Sequence, residues 1–268
     1  MAAAAPFFVD LAGGDAALGL SNASDCVKMT TGTVIGGGHM LETGSLAQQV
    51  YDEILDEICA GTFPTDCRLK QEALALQMGV SRQPVQQALS QLKADGVVHD
   101  VPGRGLAVAG PNLEMVRHRC QVRIVLDCMA AEMAAARCAN DAALAQRTNL
   151  EGLDILDRAM VALEAGDLKE LWLADVDFHD LVYRVSGNPA LKASADVHWR
   201  YLQRIMSITL REVEQVPDKF WKQHSGILES VTSGQGREAN RWARVHIRHF
   251  MAVAERAFGN TAEKQLEH

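Results

Sequence analysis

The chain has 268 residues, 48% of them apolar, 22% charged and 5% aromatic, and carries a formal net charge of −8. That length fits one large domain or two modest ones with real cores, and so few aromatics beside abundant alanine argue against a β-sandwich or barrel and for packed helices. The acidic balance excludes a generally basic nucleic-acid coat protein but leaves a local DNA-binding patch open.

The six cysteines, at 26, 59, 67, 120, 128 and 138, form no CxxC pair and no zinc-finger spacing, so a reducing cytoplasm is the expected setting. No stretch approaches the ~20 apolar residues of a membrane span, and the N-terminus lacks the basic region of a signal peptide. The expectation is a soluble protein without a membrane partner. Residues 1–44 are glycine-rich without sustained periodicity and read as a loose or vector-derived extension, with Met29 or Met40 as alternative starts. Residues 259–268 read as a tail in which Leu266, Glu267 and His268 look like the beginning of a polyhistidine tag.

Ordered pattern begins at Ser45, a possible N-cap, followed by Ala47, Val50, Tyr51, Ile54, Leu55 and Ile58 at helical spacing up to Gly61. A short helix over 70–78 ends at Gly79, and Ser81 can cap a third helix with Val85, Ala88, Leu89 and Leu92 inside, up to Gly96. Two helices meeting at a tight glycine-containing turn suggest a helix-turn-helix. Residues 97–101 and 106–109 then read as strands joined by a turn at 102–105, which makes the unit over 45–110 a winged helix-turn-helix. Helical patterns follow at 113–139, 141–164, 167–186, 189–213, 217–233 and 236–258, broken by Gly166, Gly187, Pro189, Pro217, Gly234 and Gly236. The predicted fold is therefore mainly α: an N-terminal winged helix, then an all-α bundle of six or seven helices over 111–258.

The segment 46–108 resembles the DNA-binding domain of the GntR family nearly end to end. The resemblance rests on Gly61, Arg68-Leu69, Leu74-Ala75, Gly79-Val80-Ser81-Arg82, Pro84-Val85, Ala88-Leu89, Leu92 and Gly96. The helical region is similar to the FCD (FadR-like) effector domain of that family, through VRIVLDCMAAEMAA at 122–135 and DVDFHDLVYRVSGNPAL at 175–191. The resemblance implies a homodimeric, ligand-responsive transcription factor, usually a repressor, whose bundle binds a metal and a small carboxylate. One departure stands out: the family's recognition helix commonly carries Arg-Thr-Pro-Val-Arg, and here the run is Arg82, Gln83, Pro84, Val85, Gln86, one basic contact short. Residues 41–110 hold five Lys or Arg against nine Asp or Glu, a net of −4, so phosphate neutralisation is modest.

In this frame Arg82 opens the recognition helix, where a guanidinium can pair bidentately with guanine, and Gln83 and Gln86 beside it suit adenine or phosphate. The competing reading is a merely solvated polar face. Arg104, between Gly103 and Gly105, sits at the wing tip and can enter the minor groove, or is an ordinary turn residue. Arg68 can bind phosphate or hold the turn. The expected partner is a palindromic double-stranded operator, since a single winged helix offers few specific contacts.

Helical phase also reveals a metal-type constellation. Asp175 and His179 are four apart and share the stripe of Leu171, Phe178 and Val182. His224 falls among Phe220, Ile227, Leu228 and Val231, and His246 among Ala239, Trp242, Phe250 and Val253. Burying one carboxylate and three imidazoles without partners is costly, and one divalent cation, zinc, nickel, manganese or iron, satisfies them together. For any single inward histidine, a hydrogen-bonded core role competes. His249, at the edge of the His246 stripe, is a fallback ligand. The FCD resemblance implies the same Asp175, His179, His224 and His246, and adds an effector carboxylate gripped by an inward arginine: Arg123 at the family's position, or Arg119, at least as central in phase. His198 and Asn188 complete the effector candidates. An enzyme reading, a metal-dependent hydrolase or lyase, lacks a general base, because Asp177 and Asp180 flank His179 but point off its face. A structural, metal-stabilised interaction bundle is the third class.

Overall fold

The computed structural model describes residues 45–103, 105–212 and 219–266, without the side chains of 212 and 259–266. The N-terminal extension, the wing-tip Arg104 and the last two tag-like residues lie outside the described residues.

Helix α1 (Leu46–Ala60) begins where the Ser45 hydroxyl accepts the Gln48 N–H at 3.2 Å, and ends at Gly61, whose φ of +84° favours glycine. Its buried Val50, Tyr51, Ile54, Leu55 and Ile58 keep the three-and-four spacing that defines one apolar stripe. Helices α2 (Gln71–Met78) and α3 (Arg82–Ala94) are separated by Gly79, again left-handed, with φ +67°. The hairpin is β2 (Val98–Val101) and β3 (Gly105–Val108).

Ahead of them lies β1 (Arg68–Leu69), which sequence reading misses. It pairs antiparallel with β3, Arg68 opposite Ala107 and Leu69 opposite Leu106, so the sheet order is β1-β3-β2. Two residues are too few to show alternation, and only the partner strand makes them a strand.

The second part consists of α4 (Leu113–Asn140), α5 (Ala142–Ala165), α6 (Leu168–Ser186), α7 (Pro189–Glu212), α8 (Lys219–Thr232) and α9 (Gly236–Leu266). Helix α9 continues to Leu266, past the end at 258 that the apolar pattern suggests. Helix α4 packs against all five others, which close around its buried Ala130, Ala131, Ala134 and Ala135. Small side chains let neighbouring backbones approach, and one such approach sets the site. A Cβ on Gly226 of α8 would lie 2.7 Å from the Trp242 ring of α9, so the missing side chain lets these helices close, with His224 on one and His246 on the other. Helix α7 packs on α6, α4, α9 and, across the junction, on α1. Among the described residues no helix is long and apolar enough to cross a membrane.

Candidate functional site

The recognition helix α3 turns Pro84, Val85, Ala88, Leu89 and Leu92 inward and leaves Arg82, Gln83, Gln86, Gln87 and Ser90 exposed. The three residues singled out on this helix thus lie together on its open face. Arg82 is held by Glu72 of α2 at 3.1 Å, both side chains being well exposed. Arg68 lies half-buried in β1, at the sheet rather than on the recognition helix. Of the acidic side chains of the winged helix, Glu72 thus stands beside the recognition helix, while on α1 burial pushes Asp52, Glu53 and Asp56 up, opposed by Arg200 of α7 for Asp52 and by Lys169 of α6 for the other two.

Inside the bundle, α6, α8 and α9 bring Asp175, His179, His224 and His246 together, all buried, with ligand-type atoms within 4.8 Å of one another. His224 Nε2 lies 3.1 Å from Asp175 Oδ1, and His179 Nε2 lies 3.1 Å from His246 Nε2 and 3.9 Å from Asp175 Oδ1. His224 Nδ1 is 3.1 Å from the Phe220 carbonyl, so donating there leaves Nε2 bare toward the cluster. His224 Nε2 and His246 Nδ1 are buried with no hydrogen-bond partner. Burial, then the charges of Arg123 and the neighbouring imidazoles, holds His179 well below the usual histidine range. Burial, followed by His224 and Arg123, does the same to His246. Three imidazoles and one carboxylate suit a divalent cation at bond lengths of about 2.0–2.2 Å, which places neighbouring donors ~3–4 Å apart.

Against this cluster lies a second set that sequence reasoning did not assemble. Arg123 is buried and ion-paired with Asp127 at 2.7 Å, and its Nη2 also stands 3.2 Å from His179 Nδ1. Asp127 Oδ2 is 3.4 Å from that same nitrogen, and its Oδ1 accepts the Tyr183 hydroxyl. Trp199 of α7 covers the Arg123 guanidinium at 3.7 Å and lies 4.8 Å from the His179 ring. Burial opposes the Arg123 charge, but Asp127 and Tyr183 more than offset it and its pKa is raised; its Nε keeps no partner. Asp127 is four residues after Arg123 and Tyr183 four after His179, a spacing that could have revealed both. The space left beside His179, Asp127 and Tyr183 is about 10 Å³, bordered by Ala130, Ala131 and Ala243, room for about one water. Tyr183 and Trp199 also border an outer cleft of about 240 Å³ with Asp180, Lys192 and Arg200.

The remaining effector candidates lie apart. Arg119 is committed to the domain junction, where its two Nη atoms donate to the carbonyls of Val197 and Asp95, each at 2.9 Å. Phase alone placed it beside Arg123, but it sits one turn along α4, where it meets the winged helix instead of the histidines. Asn188 caps α7, its Oδ1 accepting the Ala190 and Leu191 N–H groups. His198 is half-buried near Arg119 and Arg123, with Nδ1 unpartnered. His249 stacks on Phe220 and meets Gln223 at 3.3 Å, outside the four-residue cluster.

Two family models match this architecture. The one for bacterial regulatory proteins of the gntR family covers residues 46–108, and the FCD domain covers 119–249. The chain belongs to the GntR family and carries an FCD domain. As a GntR/FCD protein it is a DNA-binding transcriptional regulator rather than an enzyme. Its relatives include the HTH-type transcriptional repressor RspR of Escherichia coli, 22% identical over 80% of this chain and 89% of the relative. The repressor NanR of Escherichia coli is 23% identical over 92% and 100%. In fold the chain is similar to E. coli McbR/YncC, with a TM-score of 0.69 at 19% identity over 81% of this chain and 100% of that one. A putative GntR regulator from Rhodococcus sp. RHA1 gives 0.61, also at 19% identity, over 79% and 98%.

Proposed function

We propose that this GntR/FCD protein is a repressor that binds a palindromic operator as a homodimer, and that a small carboxylate bound beside a divalent cation alters its operator affinity. The observation that carries the reading is the convergence of Asp175, His179, His224 and His246 from three helices, with His224 Nε2 turned to Asp175 at 3.1 Å and His246 Nδ1 buried without a hydrogen bond. Hydrogen-bonded core histidines do not need that convergence, whereas a cation needs all of it. Zinc, nickel, manganese and iron all accept this donor set, and a four-residue set leaves positions for oxygen in an octahedral metal. The repressor sign follows the printed names of RspR and NanR.

The charges refine the effector class. Asp175 and Asp127 supply two buried negative charges and Arg123 one positive, so a dication leaves the site with one net positive charge. One carboxylate balances it, gripped by Arg123 in place of Asp127. The tight space beside Asp127 means that such an acid is small and that Trp199 or Tyr183 shifts to admit it.

The exposure of Val122, Val125 and Met129 at three-and-four spacing supports the outer face of α4 as the dimer interface. Sedimentation of Val125→Glu/Met129→Glu should show a monomer. A dimer as tight as wild type would move the interface elsewhere. The function itself is tested by titrating zinc- or nickel-loaded protein calorimetrically with lactate, pyruvate, gluconate, citrate and benzoate, followed by operator-binding measurements. If none binds, or a bound acid leaves operator affinity unchanged, the sensor reading fails.

A further inference from the structure

The end of the recognition helix is held by the bundle, and the hold centres on Asp95, a buried residue that caps α3. Its carboxylate accepts the Tyr51 hydroxyl of α1 at 2.7 Å, and its carbonyl accepts Arg119 of α4 at 2.9 Å. From α7, Arg200 approaches the same carboxylate at 4.0 Å and lies over the Tyr51 ring at 4.5 Å. Arg119 in turn stacks on Tyr201 at 4.7 Å and donates to the Val197 carbonyl. The Tyr201 hydroxyl accepts the Asn112 N–H at 3.1 Å, tying α7 to the linker that opens α4. The Asp95 carboxylate also accepts the Gln91 side-chain amide of α3 at 3.3 Å, so one buried carboxylate and one half-buried arginine gather groups of both units at a single point.

The same two helices reach the histidine cluster within one turn. On α4, Arg119 serves the recognition helix and Arg123 serves His179. On α7 the contacts are consecutive: Trp199 covers Arg123, while Arg200 and Tyr201 belong to the clasp. A metal that draws on His179 acts on a ring that touches both Arg123 and Trp199, and a carboxylate that takes Arg123 from Asp127 acts on Trp199 as well; a shift of that stretch of α7 moves Arg200 and Tyr201 with it, since helices move as stiff units.

We propose that Arg119 and Asp95 are positioning residues for DNA recognition, and that the Trp199–Tyr201 segment transmits the state of the buried site to them. The first half stands on the clasp alone. The second half rests on the reading of the cluster as a metal and acid site. Contiguity of contacts is not coupling, so both ends must be seen to respond.

The test uses the full chain. In Arg119→Met, which keeps the length of the side chain but removes its donors, amide exchange over residues 91–97 should accelerate. Operator affinity should fall about tenfold, the scale of one charge-assisted hydrogen bond. Binding to random-sequence DNA and its salt dependence should stay as in wild type, because no phosphate contact is lost. Arg119→Lys should restore part of the operator affinity, and Tyr201→Phe should show a weaker form of the same phenotype. Folded Arg119→Met and Tyr201→Phe proteins with wild-type exchange and operator affinity would overturn the clasp. For the second half, zinc or nickel alone should alter exchange over 91–97 in wild type, and Arg119→Met should bind that metal equally while losing the response. Metal that binds wild type without changing exchange there overturns the transmission. Wild type that binds neither metal overturns the site reading and the transmission with it, and leaves the clasp to be decided by the metal-free comparison.

Discussion

Arg119 and Arg123 stand four residues apart on one face of α4, yet the first hydrogen-bonds the Asp95 carbonyl at the end of the recognition helix and the second reaches the His179 imidazole. Four residues are about 6 Å along a helix, so one rigid turn joins the DNA-binding unit to the buried cluster. The two like charges are accommodated by different means. Arg123 is neutralised by Asp127, while Arg119 is spent on carbonyl dipoles and the Tyr201 ring.

Arg82 carries the recognition helix's guanidinium, and in the free protein it is paired with Glu72 at 3.1 Å. Both are exposed, so the pair contributes little to stability and must open for Arg82 to meet a base edge. Arg82→Ala is expected to reduce operator affinity at least tenfold, within the ~1–3 kcal/mol of a lost bidentate contact, with the melting temperature nearly unchanged. Glu72→Gln should raise affinity for any duplex, because it removes both the competitor and a negative charge near phosphate. Fluorescence anisotropy with labelled operator decides both, and wild-type operator binding by Arg82→Ala would remove it from the interface.

How much of this was legible in the sequence depends on the geometry each signal encodes. Periodicity encodes an angle, so the inward face of Asp175, His179, His224 and His246 could be read from the apolar residues around them, and the structure brings those four together. Periodicity does not encode where along its axis a helix meets its neighbours, which is why Arg119 and Arg123 looked equivalent and are not. Asp127 and Tyr183 follow Arg123 and His179 at helical spacing, and the question of what balances a buried arginine would have found Asp127. Trp199 was beyond reach, since its position over Arg123 depends on the crossing of α7 and α4. The strand β1 was beyond reach because it exists only by pairing with β3.

Metal removal separates the cation reading from a core of ordinary histidines. Wild type is expected to hold about one divalent ion per chain, and a strong chelator should lower its melting temperature, because an ion that binds only the folded state stabilises by mass action. His224→Ala/His246→Ala opens cavities and is less stable in any buffer, so the informative quantity is the chelator-induced change, which should vanish in that variant. Elemental analysis should show its metal lost as well. Equal metal content in the two proteins would refute the four-ligand site.

Acid should destabilise the chelated protein through the same imidazoles. His179 and His246 are held well below their ordinary value of 6.5 by burial first and by neighbouring charges second. In the unfolded chain they take up protons near 6.5, while in the folded chain they do so only at much lower pH. The unfolded state therefore binds more protons in the window between, and stability falls as pH drops through it, by about 1.4 kcal/mol per pH unit for each histidine. Above about pH 7 the contribution is complete. Urea unfolding of chelated protein between pH 7.5 and 5 should show this slope, and His246→Gln should show a shallower one. Parallel profiles would mean that His246 takes up its proton as readily folded as unfolded.

Asp127 offers a test of effector charge. Its carboxylate sits on Arg123 where an incoming acid would bind, and it lowers the net charge of the buried site. Asp127→Asn keeps the size and retains an acceptor for the Tyr183 hydroxyl, but removes one negative charge. In the metal-loaded variant the site carries one more positive charge than in wild type, so binding should shift from singly to doubly charged acids. Calorimetry with lactate and malate, which share a hydroxy-acid core and differ by one carboxylate, isolates that effect. The ratio of malate to lactate affinity is expected to rise by about an order of magnitude, the scale of one additional buried charge contact offset by its desolvation. An unchanged ratio would mean that Asp127 moves out of the site when an acid binds, and Arg123 would then face the ligand without competition in both proteins.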